Sequence, residues 1–227
     1  MSAPFYVSPE QWYRDKAEYA RKGIARGKPI VAVEYAQGIV IVGENPSSSL
    51  RKISEIYDHI AFAGVGKFDE YENLRKAGIR FADLRGYSYC RDDVAASNLA
   101  NEYSTVLGSI FTREMKPFEV ELLVAEVSEE DSSLFQILYD GSLADHRNYA
   151  SIGGDPDELR KVLEKGWRED LSLEDALKLG CKALASANED ASSLNETNLE
   201  VAVLDRAREG RRFQRLERGR LGELLNG

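Results

Sequence analysis

Polar and apolar positions follow two different periods along this chain, and the changes of period mark its elements. Pro9 to Lys22 opens with a proline suited to a first helical turn and continues with Glu10, Gln11, Lys16, Ala17 and Glu18, which predicts an amphipathic helix. After Gly23 and Gly27 come two short apolar runs, Ile30 to Tyr35 and Ile39 to Val42, joined by Ala36-Gln37-Gly38. That is a hairpin pattern. The second run is apolar on consecutive positions, so it predicts a strand covered on both faces. Asn45 to Ser49 reads as a turn. Lys52 to Gly66 reads as one further extended stretch, closing on the small and apolar residues Ile60 to Gly66.

Two helices are predicted next. Asp69 to Leu84 carries Leu74, Ala77, Gly78 and Phe81 on one stripe, and a second helix starts at Asp92 as its cap, with Ala95, Leu99, Tyr103, Val106, Leu107 and Ile110 at helical spacing. From Phe118 the period becomes two: Phe118, Val120, Leu122 and Val124 alternate with Glu119 and Glu121, followed by an acidic turn, Ser128 to Ser133, and a return run, Leu134 to Tyr139. Asn148 to Ile152 is a further strand pattern. Asp155-Pro156-Asp157-Glu158 holds the elements of a capping box for a helix to about Trp167, and Ser172 opens another helix with Leu173, Ala176, Leu177, Cys181 and Leu184 on one face. Thr197 to Leu204 alternates as a strand, and an edge strand is expected near Phe213. This order predicts an α+β fold, a four-layer α/β/β/α sandwich of two antiparallel sheets.

Composition narrows the function classes. The chain has 227 residues, 43% hydrophobic and 30% charged, with a formal net charge of -9. That balance suits a folded globular protein and argues against a surface built to neutralise nucleic-acid phosphates. Cys90 and Cys181 form no Cys-x-x-Cys pair, so a reducing compartment is expected. The amino terminus lacks a secretory pattern, and the longest apolar runs fall far short of the ~20 residues that cross a bilayer; a cytoplasmic protein without membrane association is expected. His59 and His146 are the only histidines and have no ligand-spaced companions, so no metal or cofactor is implied. No Gly-x-Ser-x-Gly elbow, Walker loop or dinucleotide fingerprint occurs. Gly153-Gly154 before a helix reads as a strand-to-helix turn.

Several short segments, in order, resemble the proteasome alpha subunits: Ser8-Pro9-Glu10, Glu18-Tyr19-Ala20-Arg21, Leu50-Arg51-Lys52-Ile53, Asp58-His59-Ile60-Ala61 and Gly64, then Pro117-Phe118-Glu119-Val120, Ala150-Ser151-Ile152-Gly153 and Leu179-Gly180-Cys181-Lys182-Ala183-Leu184. They span roughly residues 8 to 205. The opening Pro4-Phe5-Tyr6-Val7-Ser8-Pro9 and the run Gly23 to Gly27 resemble the actinobacterial branch. The resemblance implies the N-terminal-nucleophile hydrolase fold without its catalysis. Active members expose a threonine as the first residue of the first strand, with its own amine as base; here Lys28-Pro29 precedes that strand inside a continuous chain, so no catalytic residue is expected.

The resemblance further implies an outer-ring subunit that sits with six other copies of itself on rings of beta subunits. Residues 1–8 would form a gate, through Pro4, Phe5 and Tyr6 with support from Pro9 and Tyr19; residues 9–205 the alpha-type domain; and residues 206–227 an arginine-rich tail. Lys52 aligns with the lysine that receives the C-terminal carboxylate of an AAA ATPase activator, with Glu18 and Gly27 as neighbouring pocket positions, and Lys67 stands where many relatives are apolar. The activator would deliver proteins tagged with a ubiquitin-like modifier. Two other readings stay open at this level: a hydrolase using Ser2 as an exposed N-terminal nucleophile, and a monomeric acidic binding module.

Overall fold

In the computed structural model of this chain, residues 8–47, 49–187 and 194–226 are described. Pro4, Phe5, Tyr6 and Ser2 lie outside them. Two five-stranded antiparallel sheets face one another. The first runs β10(Phe213–Arg215), β9(Leu199–Asp205), β2(Gly38–Glu44), β1(Ile30–Tyr35), β8(Tyr149–Ile152); the second runs β3(Ile53–Tyr57), β4(Ile60–Gly66), β5(Val120–Val127), β6(Ser132–Ile137), β7(Leu143–His146).

Alternation along each strand sorts its side chains into separate cores. Ile30, Ala32, Ile39, Ile41, Ala202 and Leu204 of the first sheet meet Ile53, Ala61, Ala63, Val65, Leu123 and Ala125 of the second. The outer face of the first sheet, with Val31, Val33, Val40, Val42, Val201 and Val203, is covered by α4(Pro156–Gly166) and α5(Leu173–Ser186) through Leu159, Leu163, Ala176, Leu177 and Leu184. On the second sheet Phe62, Val120, Leu122, Val124 and Ile137 lie under α2(Phe68–Ser88) and α3(Ala96–Arg113) through Tyr71, Leu74, Leu99, Tyr103 and Leu107. The α/β/β/α order predicted from the sequence is thus present. β2 is buried at every position, as its unbroken apolar run predicts.

The structure corrects several readings. The Lys52 to Gly66 stretch is not one extended run but a hairpin, β3 and β4, with a register shift between Glu55 and Tyr57. In α2 the buried stripe runs through Tyr71, Leu74, Gly78 and Ala82, while Ala77 faces solvent. Asp92 does not cap α3: residues 91–93 form a separate 3-10 turn and α3 starts at Ala96, whose N–H donates to Glu126 of β5 at 2.9 Å. The period of two around Glu119 and Glu121 does not mark a wet face, because β5 is covered on both sides and Glu121 is buried between the sheets. The short exposed strand β7 and the final helix α6(Arg218–Asn226), with Leu221 buried against α5, have no counterpart in the sequence pattern.

Local chemistry sets the helix ends. Ser8 accepts the Gln11 N–H at 3.2 Å to start α1(Pro9–Ile24), and Asp155 accepts from Asp157 and Glu158 to start α4. Asp155→Ala is expected to cost about 1 kcal/mol, seen as a fall of roughly 2–4 °C in the unfolding midpoint; an unchanged midpoint would show the cap to be idle.

Helix α1 lies across one end of the sandwich. Ala20 and Ile24 sit in the core between the sheets. Buried Lys16 donates to the Phe111 carbonyl at 2.7 Å and to that of Glu114, while standing 3.8 Å from the Trp12 ring centroid. A cation on the last carbonyls of α3 satisfies that helix end and its dipole, so α1 is fastened at a fixed place.

Candidate functional site

The start of β1 is the place at which the resemblance puts the nucleophile of catalytic members. Here the chain leaves α1 at Ile24, turns with the Gly27 N–H donating to the Ile24 carbonyl at 2.9 Å, and runs through Lys28 and buried Pro29 into Ile30. Ile30 pairs at once with Gly43 on one side and Ile152 on the other. A proline nitrogen inside a peptide bond is neither an amine base nor a neighbour to a hydroxyl, so this position offers no nucleophile. The adjoining end of the inter-sheet space is filled by Ala20 and Ile24.

Glu121, buried beside that region, accepts the Gly153 N–H at 2.8 Å and Gln136 Nε2 at 2.5 Å. Burial pushes its carboxyl above the usual range, against both hydrogen bonds. His146 Nε2 meets Gln136 Oε1 at 2.7 Å, so the chain His146, Gln136, Glu121, Gly153 N–H ties β7, β6, β5 and the turn before α4 together. His59 sits 3.4 Å from Glu126 and 2.8 Å from the Val94 carbonyl; the Glu126 hydrogen bond raises its pKa. Among the described residues no group of three or more potential metal ligands converges.

Lys52 precedes β3, half-buried, with Nζ donating to the Lys28 carbonyl at 3.0 Å. Burial pulls its pKa down to about 8, while Glu200 and Glu44 act in the other direction. The structure therefore brings Lys52 against the Gly27-Lys28 turn. Gly27 is needed there, since a Cβ would stand 2.7 Å from Val65 Cγ1 and 3.0 Å from the Gly66 nitrogen. Glu18 stands apart from this group: it lies exposed on α1 and pairs with Lys22 at 2.6 Å, which lowers its pKa. Tyr19 is 49% exposed, with the Lys116 ammonium 5.8 Å from its ring, and Pro9 opens α1. Lys116 in turn is held by buried Glu70 at 2.6 Å. Lys67 also reaches Glu70, at 3.4 Å.

The region holds a group that the local sequence does not announce. Glu200 of β9, 4% exposed, accepts from Asn45 Nδ2 at 2.6 Å, from the Lys52 N–H at 3.0 Å, from the Ile53 N–H at 3.3 Å and from the guanidinium of Arg215. The one signal is a charged residue on the inward face of an otherwise apolar strand. Several arginines from Arg206 onward, unassigned by pattern, find acceptors within the chain: Arg211 pairs with Glu55, Arg212 donates to the Val127 carbonyl at 2.7 Å, and Arg206 Nε donates to the Ser128 carbonyl at 3.2 Å.

Residues 24–204 match the family model described as Proteasome subunit. Among similar proteins, the "Proteasome subunit alpha" of Kineococcus radiotolerans is 52% identical, over 100% of this chain and 99% of that relative. The protein of the same name from Xylanimonas cellulosilytica is 52% identical, over 95% of this chain and 93% of its own length. That of Streptomyces coelicolor is 51% identical, over 99% and 91%.

Proposed function

The chain belongs to the proteasome subunit family, and from that premise we propose that it is a non-catalytic outer-ring subunit of a proteasome core particle. The observation that carries this reading is the uninterrupted Lys28-Pro29 link behind α1, at the position where a working member of the fold needs a terminal hydroxyl residue. Catalysis then belongs to threonines of partner beta subunits. In this reading the chain works in the cytoplasm, in a ring of seven copies, and residues 1–8 restrict the axial entrance ahead of the alpha-type domain of residues 9–205. Residues 206–227 form the arginine-rich C-terminal segment, whose β10 extends the first sheet and whose Leu221 is buried in the core of α4 and α5.

The second part of the proposal is docking. Lys52, held against the Gly27-Lys28 turn, receives the C-terminal carboxylate of an AAA ATPase activator that feeds tagged proteins into the chamber. What supports this is a fixed ammonium with one carbonyl partner at 3.0 Å in a half-buried setting, where a carboxylate meets less competition from water. Glu18, paired with Lys22 and apart from Lys52 within this subunit, enters this reading as a further pocket position by resemblance alone, while Pro9 and Tyr19 carry the gate segment on α1.

Electron microscopy of the chain co-expressed with its beta partner tests the assembly: stacked rings with this subunit outermost are expected, and a globule of one-chain mass in the presence of beta would refute it. Deleting residues 2–8 is expected to speed hydrolysis of larger peptides several-fold while leaving that of tripeptide substrates nearly unchanged. An unaltered rate on larger peptides would remove the gate from the proposal.

A further inference from the structure

We propose that Glu200 and Arg215 are positioning residues for Lys52, with Arg215 holding the Glu200 carboxylate on the backbone of residues 52 and 53 so that the Lys52 ammonium stays free for an incoming carboxylate. This rests on the docking reading above. Its basis is the accounting of acceptor sites on Glu200. A carboxylate offers about four lone-pair sites, and four donors occupy them. Oε1 takes the Ile53 N–H and Arg215 Nη1; Oε2 takes the Lys52 N–H and Asn45 Nδ2. The ammonium of Lys52, on the residue whose own N–H is bound there, has no site left on Glu200 and turns to the Lys28 carbonyl instead. An ammonium carries three donors; among the described residues the Lys28 carbonyl takes one of them, which leaves two for a ligand.

Arg215 fixes this arrangement twice over, because its second nitrogen donates to the Ile53 carbonyl at 2.6 Å. Its planar fork spans a carboxylate and a carbonyl as a lysine cannot. Arg215 belongs to β10, which pairs only with β9 at the edge of the first sheet, whereas Lys52 and Ile53 lead into β3 of the second. The carboxyl-terminal segment therefore reaches across both sheets to set the presentation of the lysine. The charged groups that face Lys52 are Glu200 from β9 with its partner Arg215 from β10, Glu44 at the end of β2, and Lys28 ahead of β1, itself 3.3 Å from Glu44.

The two partners make opposite predictions. Without the charge of Glu200 the ammonium loses the anion that most favours its charged form and deprotonates more easily; without Arg215 an acceptor site on Glu200 opens and the ammonium is drawn onto it. The test uses the assembled particle with beta subunits and a fluorescent peptide copying the C-terminal residues of the same organism's ring ATPase, with the amidated peptide as control, titrated from pH 6.5 to 9.5. In the unaltered particle the affinity is expected to fall above pH 8. Glu200→Gln is expected to move that midpoint down by about one pH unit. Arg215→Met is expected to move it up and to weaken binding at pH 6.5 about tenfold, by competition from Glu200. If Arg215→Met does not assemble, Arg215→Lys is expected to give the same directions with smaller size. A merely structural role would weaken binding in both variants without opposite shifts, so midpoints that stay put or move together overturn the proposal while a loss of binding in Lys52→Ala keeps the docking site. Undiminished binding in Lys52→Ala overturns both.

Discussion

Lys52→Ala is expected to leave the particle assembled and its unstimulated peptide hydrolysis intact, but to lower activator affinity about 10- to 100-fold. The size follows from removing one charge-assisted hydrogen bond in a half-buried setting, about 1.5–3 kcal/mol. The sparing of assembly follows from where the side chain points: among the described residues its ammonium holds the Lys28 carbonyl alone, while the backbone of residue 52 is secured independently by Glu200. The same site carries a pH dependence whose sign is set by the lowered pKa. On the proposed docking, below pH 8 a tail would meet a cation already formed and above it each binding event would take up a proton, so affinity is expected to fall by up to about tenfold per pH unit. Stimulated degradation measured against activator concentration at pH 7 and pH 9 checks both. Equal stimulation in the variant, or a flat pH response, contradicts the docking role.

Gly66→Ala is expected to damage the fold itself. Gly66 ends β4 at φ +109°, and an added Cβ would lie 1.9 Å from the Glu119 carbonyl oxygen, the same atom that accepts the Lys67 N–H at 2.9 Å. Neither the strained dihedral nor the clash can be relieved without moving β5 or the start of α2. The cost is about 3–5 kcal/mol out of the 5–15 kcal/mol typical of a domain. It should appear as poor assembly yield and a midpoint lowered by roughly 8–15 °C in a thermal scan. A midpoint within 2 °C of the parent would mean that the β4-to-α2 junction is looser than its geometry indicates.

How far the fold can be read from residues alone depends on whether the partner that decides each feature is local. The β1 and β2 runs are legible because covering both faces leaves an unbroken apolar stretch. The caps Asp155 and Ser172 are legible because donor and acceptor lie within three residues. The start of α3 is not, because its cap is Glu126 of β5, 30 residues away. The break between β3 and β4 is obscured since Asp58-His59 carries no glycine, and β7 is an exposed edge with no periodic face. At the site, Lys52 and Gly27 were reachable only through resemblance. The Glu200 group joins residues up to 162 positions apart, a pairing that the sheets bring about.

The central claim is that this subunit surrounds catalysis without performing it, and labelling the assembled particle with an electrophile selective for N-terminal hydroxyl residues tests it most directly. Mass spectrometry should find the label on beta chains alone, with this chain still continuous through Lys28-Pro29. Label on Ser2 with loss of amidase activity, or a chain cut just before Pro29, would contradict the account.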